Sequence, residues 1–172
     1  MNRLFIPFLL VLAIILLLCA QCTFVYRFPV WGAQAQLLPP LLLYAAFTLN
    51  LPTAVILGLL ASAMFDSFSA GHFGGSAIPY VLSVTLFSGV RPIFFRNRIS
   101  TQFLSGCVFG FVALFLQWVL SGKVMVGLHV VLPTILHLSL FCGVLSVLYF
   151  TVLDFICRMV GVDPGRFEEA TP

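Results

Sequence analysis

Long apolar runs separated by short polar segments dominate the chain. The runs over 4–18 and 144–152 are nearly continuous and lack the alternation of apolar and polar residues that a membrane β-strand requires. At about 20 residues per membrane crossing, the 172 residues accommodate five or six helical spans. The pattern predicts helices over 4–24, 37–49, 52–65, 77–95 and 103–120, and one within 126–157.

Prolines and glycines mark the predicted ends of these helices. Pro39 and Pro40 open the second helix in its first turn, where proline is tolerated. The sequence Asn-Leu-Pro over 50–52 indicates a tight turn before the third helix. The range 126–157 is long for one span, so we expect its first turns, before Pro133, to lie along the membrane surface.

Composition identifies the solvent of this fold. Apolar residues make up 62% of the chain and charged residues 8%, against roughly 25% charged in soluble domains. We therefore expect an all-α membrane protein, a bundle of about six transmembrane helices over 1–158 with a short tail over 159–172. No basic cluster interleaved with aromatic residues indicates nucleic acid. The apolar run after Arg3 lacks a convincing cleavage site, so we interpret it as a retained first span.

The distribution of basic residues predicts the orientation. Lysine and arginine accumulate on the cytoplasmic side of membrane proteins. With six spans, both termini are expected in the cytoplasm and the segment 66–76 outside. One side then carries six arginines and the other only two basic residues: Arg3, Arg91, Arg96, Arg98, Arg158 and Arg166 against Arg27 and Lys123.

Asp66 and His72 lie in the glycine-rich segment 66–76. Ionisable groups at membrane depth are costly and are candidates for function. One hypothesis is a binding or proton-handling site. The other is a helix cap and turn, in which the carboxylate of Asp66 bonds backbone N–H groups and holds the turn in one shape.

Other polar residues have structural alternatives that are equally simple. Cys19 and Cys22 form CxxC but lie in an apolar run, where they act as small apolar residues. His137 is expected to bond a neighbouring helix rather than a metal. Asp154 and Arg158, four residues apart, are expected to pair on one helical face.

Two further patterns concern glycine. Gly106 and Gly110 form GxxxG in the fifth helix, which permits a close helix crossing within the chain or with a partner, unless the spacing is chance. Ser76 is followed by Ala77 instead of the glycine of the GxSG pattern of intramembrane serine proteases. No acid–base pair, metal set or activated nucleophile is convincing, so we expect a non-enzymatic protein without a cofactor.

The stretch from Gly58 to Asp66, followed by Gly71-His-Phe-Gly-Gly-Ser-Ala77, resembles the MreD family of rod shape-determining membrane proteins. Residues 39–44 and Gln21 are also similar to that family. We carry over Gly58, Asp66 and Gly74 as its structural or partner-binding residues. The resemblance implies a fold similar to the substrate-binding subunits of energy-coupling-factor transporters.

The function implied by the resemblance is that of a membrane scaffold. Such a protein lies in the bacterial cytoplasmic (inner) membrane and takes part in cell elongation. Its partners would be MreC and, through it, MreB, RodA and a class B penicillin-binding protein, which together maintain cell shape through peptidoglycan synthesis. The alternative is a small-molecule-binding membrane subunit of a vitamin-uptake transporter, with its cavity near 66–76.

Overall fold

The described residues of the chain form a helical bundle. The computed structural model describes residues 5–21, 36–68, 74–90, 98–120 and 128–161, and these ranges contain helices and no β-strand. The all-α expectation is therefore confirmed for them. The helices are α1 (Phe5–Ala20), α2 (Leu38–Thr48), α3 (Leu51–Phe68), α4 (Ala77–Val90), α5 (Ile99–Leu120) and α6 (Leu128–Met159).

The helix boundaries follow the prolines with one exception. Pro39 and Pro40 lie in the first turn of α2, and Asn50 separates α2 from α3. In contrast, α6 continues through Pro133 as a single helix of 32 residues. The turns before Pro133 thus belong to the same helix as the rest of α6, because the loss of one backbone hydrogen bond at a proline is tolerated in membrane helices. Their position along the membrane surface remains an expectation. The expected extension of α4 to residue 95 and most of the tail lie outside the described residues.

Three of the six helices are long and apolar enough to cross a membrane. They are Leu51–Phe68, Ile99–Leu120 and Val131–Met159, whereas Ile6–Ala20, Leu38–Thr48 and Ala77–Val90 are shorter apolar helices. By length and composition the chain is thus compatible with a membrane protein. Six complete crossings remain an expectation.

The short helix α2 forms the centre of the bundle. All 11 of its residues are buried, and it packs against each of the other five helices. Because α2 is covered on every side by protein, it does not have to match the thickness of a bilayer. Its aromatic residues pack on α6, with the ring of Phe150 5.0 Å from that of Tyr44 and 6.0 Å from that of Phe47.

Successive helices run in opposite directions and define two ends of the bundle. Contacts of Gln36, which precedes α2, join it to the start of α4 and the end of α5, and we call this the Gln36 end. Tyr44 in α2 contacts Asp154 near the end of α6, and we call this the Asp154 end. The start of α1 and the end of α6 consequently lie at the same end.

Many large apolar side chains face outward, and small polar side chains are buried together with the apolar core of the bundle. Buried residues include Ser62, Ser83, Ser105, Ser139 and Ser146, and their helices approach closely because serine is small. The large apolar residues of α6 recur about every four positions on the outside. They are Leu136, Leu140, Val144, Leu148, Val152 and Phe155, each between 45 and 59% exposed. This arrangement is typical of a bundle solvated by lipid.

Candidate functional site

The carboxylate of Asp66 joins the end of α3 to the start of α4. Asp66 is 8% exposed, and its Oδ2 accepts hydrogen bonds from the backbone N–H of Gly74 at 2.7 Å and of Ser76 at 3.3 Å. Its Oδ1 accepts a hydrogen bond from the Ser76 hydroxyl. These donors immediately precede α4, where the helix itself offers backbone N–H groups no acceptor. Asp66 thus caps α4 from the neighbouring helix, and we call these three residues the Asp66 corner.

The charge of Asp66 suits this position. The start of a helix carries partial positive charge, which favours a carboxylate beside it. Three donors also offset much of the free-energy cost of holding a carboxylate at membrane depth. These are the contacts that the cap hypothesis requires. His72, the second residue of the binding hypothesis, lies outside the described residues.

The backbone conformation at position 74 favours glycine, whereas the space around position 58 does not require it. The backbone of Gly74 has φ +92°, a left-handed conformation that residues with a side chain rarely adopt. Gly58 lies on α3 against α4, where an added Cβ would be 3.7 Å from Val84 Cγ2, an ordinary contact distance. Space alone therefore does not require glycine at position 58.

Gly106 and Gly110 form a close crossing inside the chain. A Cβ added at Gly106 would overlap Ser146 Oγ and lie 3.0 Å from the Cα of Gly143. At Gly110 it would lie 2.7 Å from Cys142 Cβ. Both glycines of α5 therefore face α6 and are buried. Of the two possibilities left by the sequence, the structure has the crossing within the chain.

A second polar cluster, which the sequence pattern did not indicate, lies at the start of α2. The Gln36 side chain donates to Gln117 Oε1 of α5 at 2.9 Å and accepts from the Tyr80 hydroxyl of α4 at 3.3 Å. The backbone N–H of Leu37 donates to Gln21 Oε1, at the end of α1, at 3.3 Å. These five residues are called the Gln36 cluster. In the sequence, Gln21, Gln36 and Gln117 each lie near one end of an apolar run, but the sequence alone does not show that these ends meet in space.

Asp154 forms a contact across helices. The hydroxyl of Tyr44, which is fully buried in α2, donates to Asp154 Oδ1 at 2.9 Å and lies 3.9 Å from Cys157 Sγ. The sequence suggested only Arg158 as a partner, because helical spacing reports neighbours on the same helix. The sequence feature that could have indicated this contact is an acid, Asp154, in one apolar run and a tyrosine, Tyr44, in another.

The remaining candidates are not brought into a reactive group. His137 is exposed, and its Nδ1 lies 2.9 Å from the Pro133 carbonyl oxygen within α6. Ser76 is 1% exposed, and its hydroxyl donates to the carboxylate of Asp66. Cys19 is exposed, and Cys22 lies outside the described residues.

The polar contacts reported above join helices and turns of the described part of the chain. Within the described ranges, no three His, Cys, Asp or Glu side chains form a group that could hold a metal ion. Gln36 and Tyr44 join helices that are distant in sequence, and Asp66 joins the consecutive helices α3 and α4. Comparison of the chain with models of known protein families, with curated proteins and with solved structures gives no match.

Proposed function

We propose that the chain is a non-enzymatic membrane scaffold of a bacterial cell-elongation complex, which binds MreC and helps to position peptidoglycan synthases. The observation that carries the proposal is the Asp66 corner. Asp66 and Gly74, two of the residues through which the sequence resembles the MreD family, are joined there by a hydrogen bond of 2.7 Å. A motif that builds a corner gives a scaffold one fixed shape.

The internal use of polar groups supports the same proposal. The carboxylates of Asp66 and Asp154 and the amides of Gln21 and Gln36 all bond other helices or turns. Interhelical hydrogen bonds of this kind fix the packing of a bundle in lipid, where the hydrophobic effect does not drive helix association. A bundle held by such bonds can present a defined outer surface to a partner.

The partner surface of this scaffold lies away from the glycines of α5. Gly106 and Gly110 are covered by α6, so they are not available to a helix of MreC. The exposed apolar faces of the outer helices and the exposed backbone of Gly74 and Gly75 remain for a partner. MreC would connect the chain to MreB in the cytoplasm, and also to RodA and the penicillin-binding protein.

Co-purification tests the proposal. The full chain with an affinity tag is co-expressed with MreC, extracted in mild detergent and captured. We expect MreC to be retained at a stoichiometric level, and Asp66→Leu to reduce this amount severalfold relative to captured scaffold. Ser67→Ala is the matched control, because Ser67 is exposed next to Asp66 and its hydroxyl bonds Ala63 of its own helix.

The contrary result has a clear meaning. Retention of an ATPase subunit of a vitamin-uptake transporter, with no MreC, would replace the proposal by the transporter alternative. Loss of MreC in Ser67→Ala as well as in Asp66→Leu would show that the measured binding is not specific for the corner.

A further inference from the structure

The segment that leads into α2 is held by polar contacts from four helices. Besides the bonds to Gln21, Tyr80 and Gln117, the thiol of Cys142 in α6 lies 4.0 Å from the carbonyl oxygen of Gln36. Gln36 itself is half-buried, whereas Tyr80 is fully buried. The Gln36 cluster thus ties α1, α4, α5 and α6 to the start of the central helix.

The start of α2 is suited to such an attachment. A helix start buried in protein leaves backbone N–H groups without partners. In α2, Pro39 and Pro40 remove two of these groups, since proline has no N–H. The N–H of Leu37 is satisfied by Gln21. The central helix therefore begins in the interior without capping itself, and side chains from other helices complete it.

The two ends of the bundle differ in how they are held. At the Asp154 end, aromatic rings of α2 and α6 pack directly, in addition to the Tyr44–Asp154 bond. Between α5 and α6, backbones meet at glycines. At the Gln36 end, the ring of Tyr80 packs on Phe65 of α3, whereas the hydrogen bonds from α4 and α5 to the start of α2 pass through the half-buried amide of Gln36, and the one from Tyr80 is 3.3 Å long. Water or another polar group can replace such bonds, but it cannot replace ring packing.

We propose that the Gln36 cluster is a latch, which keeps the Gln36 end of the bundle closed and releases α4 and α5 from the start of α2 when the Gln36 amide is displaced. The Asp66 corner lies one helical turn before Tyr80, so it sets the position of the α4 side of the latch. The latch is a property of the chain whichever partner it binds, and does not rest on the proposed function.

The buried cysteines report on the two ends separately. Cys142 is 2% exposed beside Gln36, and Cys157 is 0% exposed beside Tyr44. Opening of the latch uncovers Cys142 and leaves Cys157 covered. In the full chain with Cys19, Cys22 and Cys107 replaced by alanine, the rate of N-ethylmaleimide modification is measured at both thiols by mass spectrometry of the purified protein in detergent.

Gln36→Leu removes both side-chain bonds, and Tyr80→Phe removes one while retaining the ring. Interhelical hydrogen bonds in membrane proteins typically change an equilibrium by about threefold each. We expect Tyr80→Phe to speed modification of Cys142 by about threefold and Gln36→Leu by up to roughly tenfold. Thr85→Val is the matched control, because it removes a hydroxyl of α4 that bonds only its own helix in the described contacts.

The latch is overturned if Gln36→Leu and Tyr80→Phe leave the Cys142 rate unchanged. It is equally overturned if Cys142 and Cys157 accelerate by the same factor, because that result describes loosening of the whole bundle. Should Gln36→Leu not fold, Tyr80→Phe decides by the same comparison.

Discussion

At the scale of the residue, the two acids in the described part of the chain join parts of the bundle. Asp66 accepts a hydrogen bond of 2.7 Å at the start of α4, and Asp154 accepts one of 2.9 Å from the central helix. Such a carboxylate is replaceable only by a group that offers acceptors in the same directions. One prediction tests the contacts of Asp66, and a second tests the contact between Tyr44 and Asp154.

Asp66→Asn is expected to be mild and Asp66→Leu severe. Asparagine offers its oxygen to the N–H groups of Gly74 and Ser76, while its NH₂ faces the Ser76 hydroxyl, which turns to accept. Leucine leaves all three donors without an acceptor, at a cost of roughly 2–4 kcal/mol. The folded fraction, measured by fluorescence-detected size-exclusion chromatography of a tagged protein, should fall strongly for leucine alone. Equal loss of function in both variants at normal folded amounts would show that the charge itself matters.

Tyr44→Phe is expected to lower the free energy of unfolding by about 1–3 kcal/mol, because it removes a hydrogen bond to a carboxylate. The ring contact with Phe150 is kept, so packing changes little. Unfolding in detergent mixtures of increasing SDS measures the change. In the double variant with Asp154→Ala, which removes the acceptor, the loss should be smaller than the sum of the single losses. Additive losses would show that the two side chains do not act on each other.

At the scale of the element, the pairing of α5 with α6 depends on glycine at named positions. The backbones approach so closely that the Cα of Gly143 would lie 3.0 Å from a Cβ at position 106. Van der Waals contact at such glycines is a main source of helix association in membranes. The most specific sequence signal in the chain for a helix contact, GxxxG, thus acts within the bundle.

Gly106→Ala and Gly110→Ala are expected to destabilise the bundle, by about 1–3 kcal/mol each through overpacking. Gly89→Ala in α4 is the matched control, since an added Cβ there meets nothing within 4 Å. In a helix, alanine is otherwise favoured over glycine by about 1 kcal/mol, so Gly89→Ala should be neutral or stabilising. Apparent melting temperatures in detergent check this order. Destabilisation of all three to the same extent would contradict the close crossing.

The sequence predicted the elements better than their contacts. Apolar runs and prolines placed all six helices, because the number and approximate position of helices in such a chain depend on local pattern. The continuation of α6 through Pro133 was not predicted, since a proline inside a helix usually kinks or ends it, whereas membrane helices tolerate proline when neighbouring groups compensate. The burial of α2 and the meeting of Gln36 with Gln117 depend on packing between distant segments. Local spacing contains no information on these contacts, whereas the Asp66 corner was foreseeable because its donors follow within ten residues.

At the scale of the whole molecule, large apolar side chains cover much of the outer faces of the described helices. This arrangement leaves the orientation in the membrane to the charges at its two ends. Arg98 precedes α5 and Arg158 lies in the last turn of α6, and both helix ends are at the Asp154 end. The rule that basic residues stay in the cytoplasm therefore predicts that the Asp154 end faces the cytoplasm.

The number of membrane crossings determines on which side of the membrane residue 172 lies relative to residue 1. If all six helices cross, residue 172 lies on the same side as residue 1. If only the three long helices α3, α5 and α6 crossed, the two ends would lie on opposite sides. We expect six crossings, because the shorter helices α1, α2 and α4 pack between or beside the long ones. Consecutive helices also run in opposite directions along the chain.

Reporter fusions in a Gram-negative bacterium test this topology. Alkaline phosphatase, which is active only in the periplasm, is fused after Ser76, after Arg98 and after Pro172, with green fluorescent protein fused at the same positions as the complementary reporter. We expect phosphatase activity only after Ser76, since that position follows three crossings, and fluorescence after Arg98 and Pro172. At Ser76 and Arg98 the reporter is inserted into the full chain, because a chain truncated after Ser76 would keep only Arg3 and Arg27, one expected on each side, and would lose the basic residues that set its orientation. Active phosphatase after Pro172 would contradict six crossings and would favour a bundle in which the short helices do not cross.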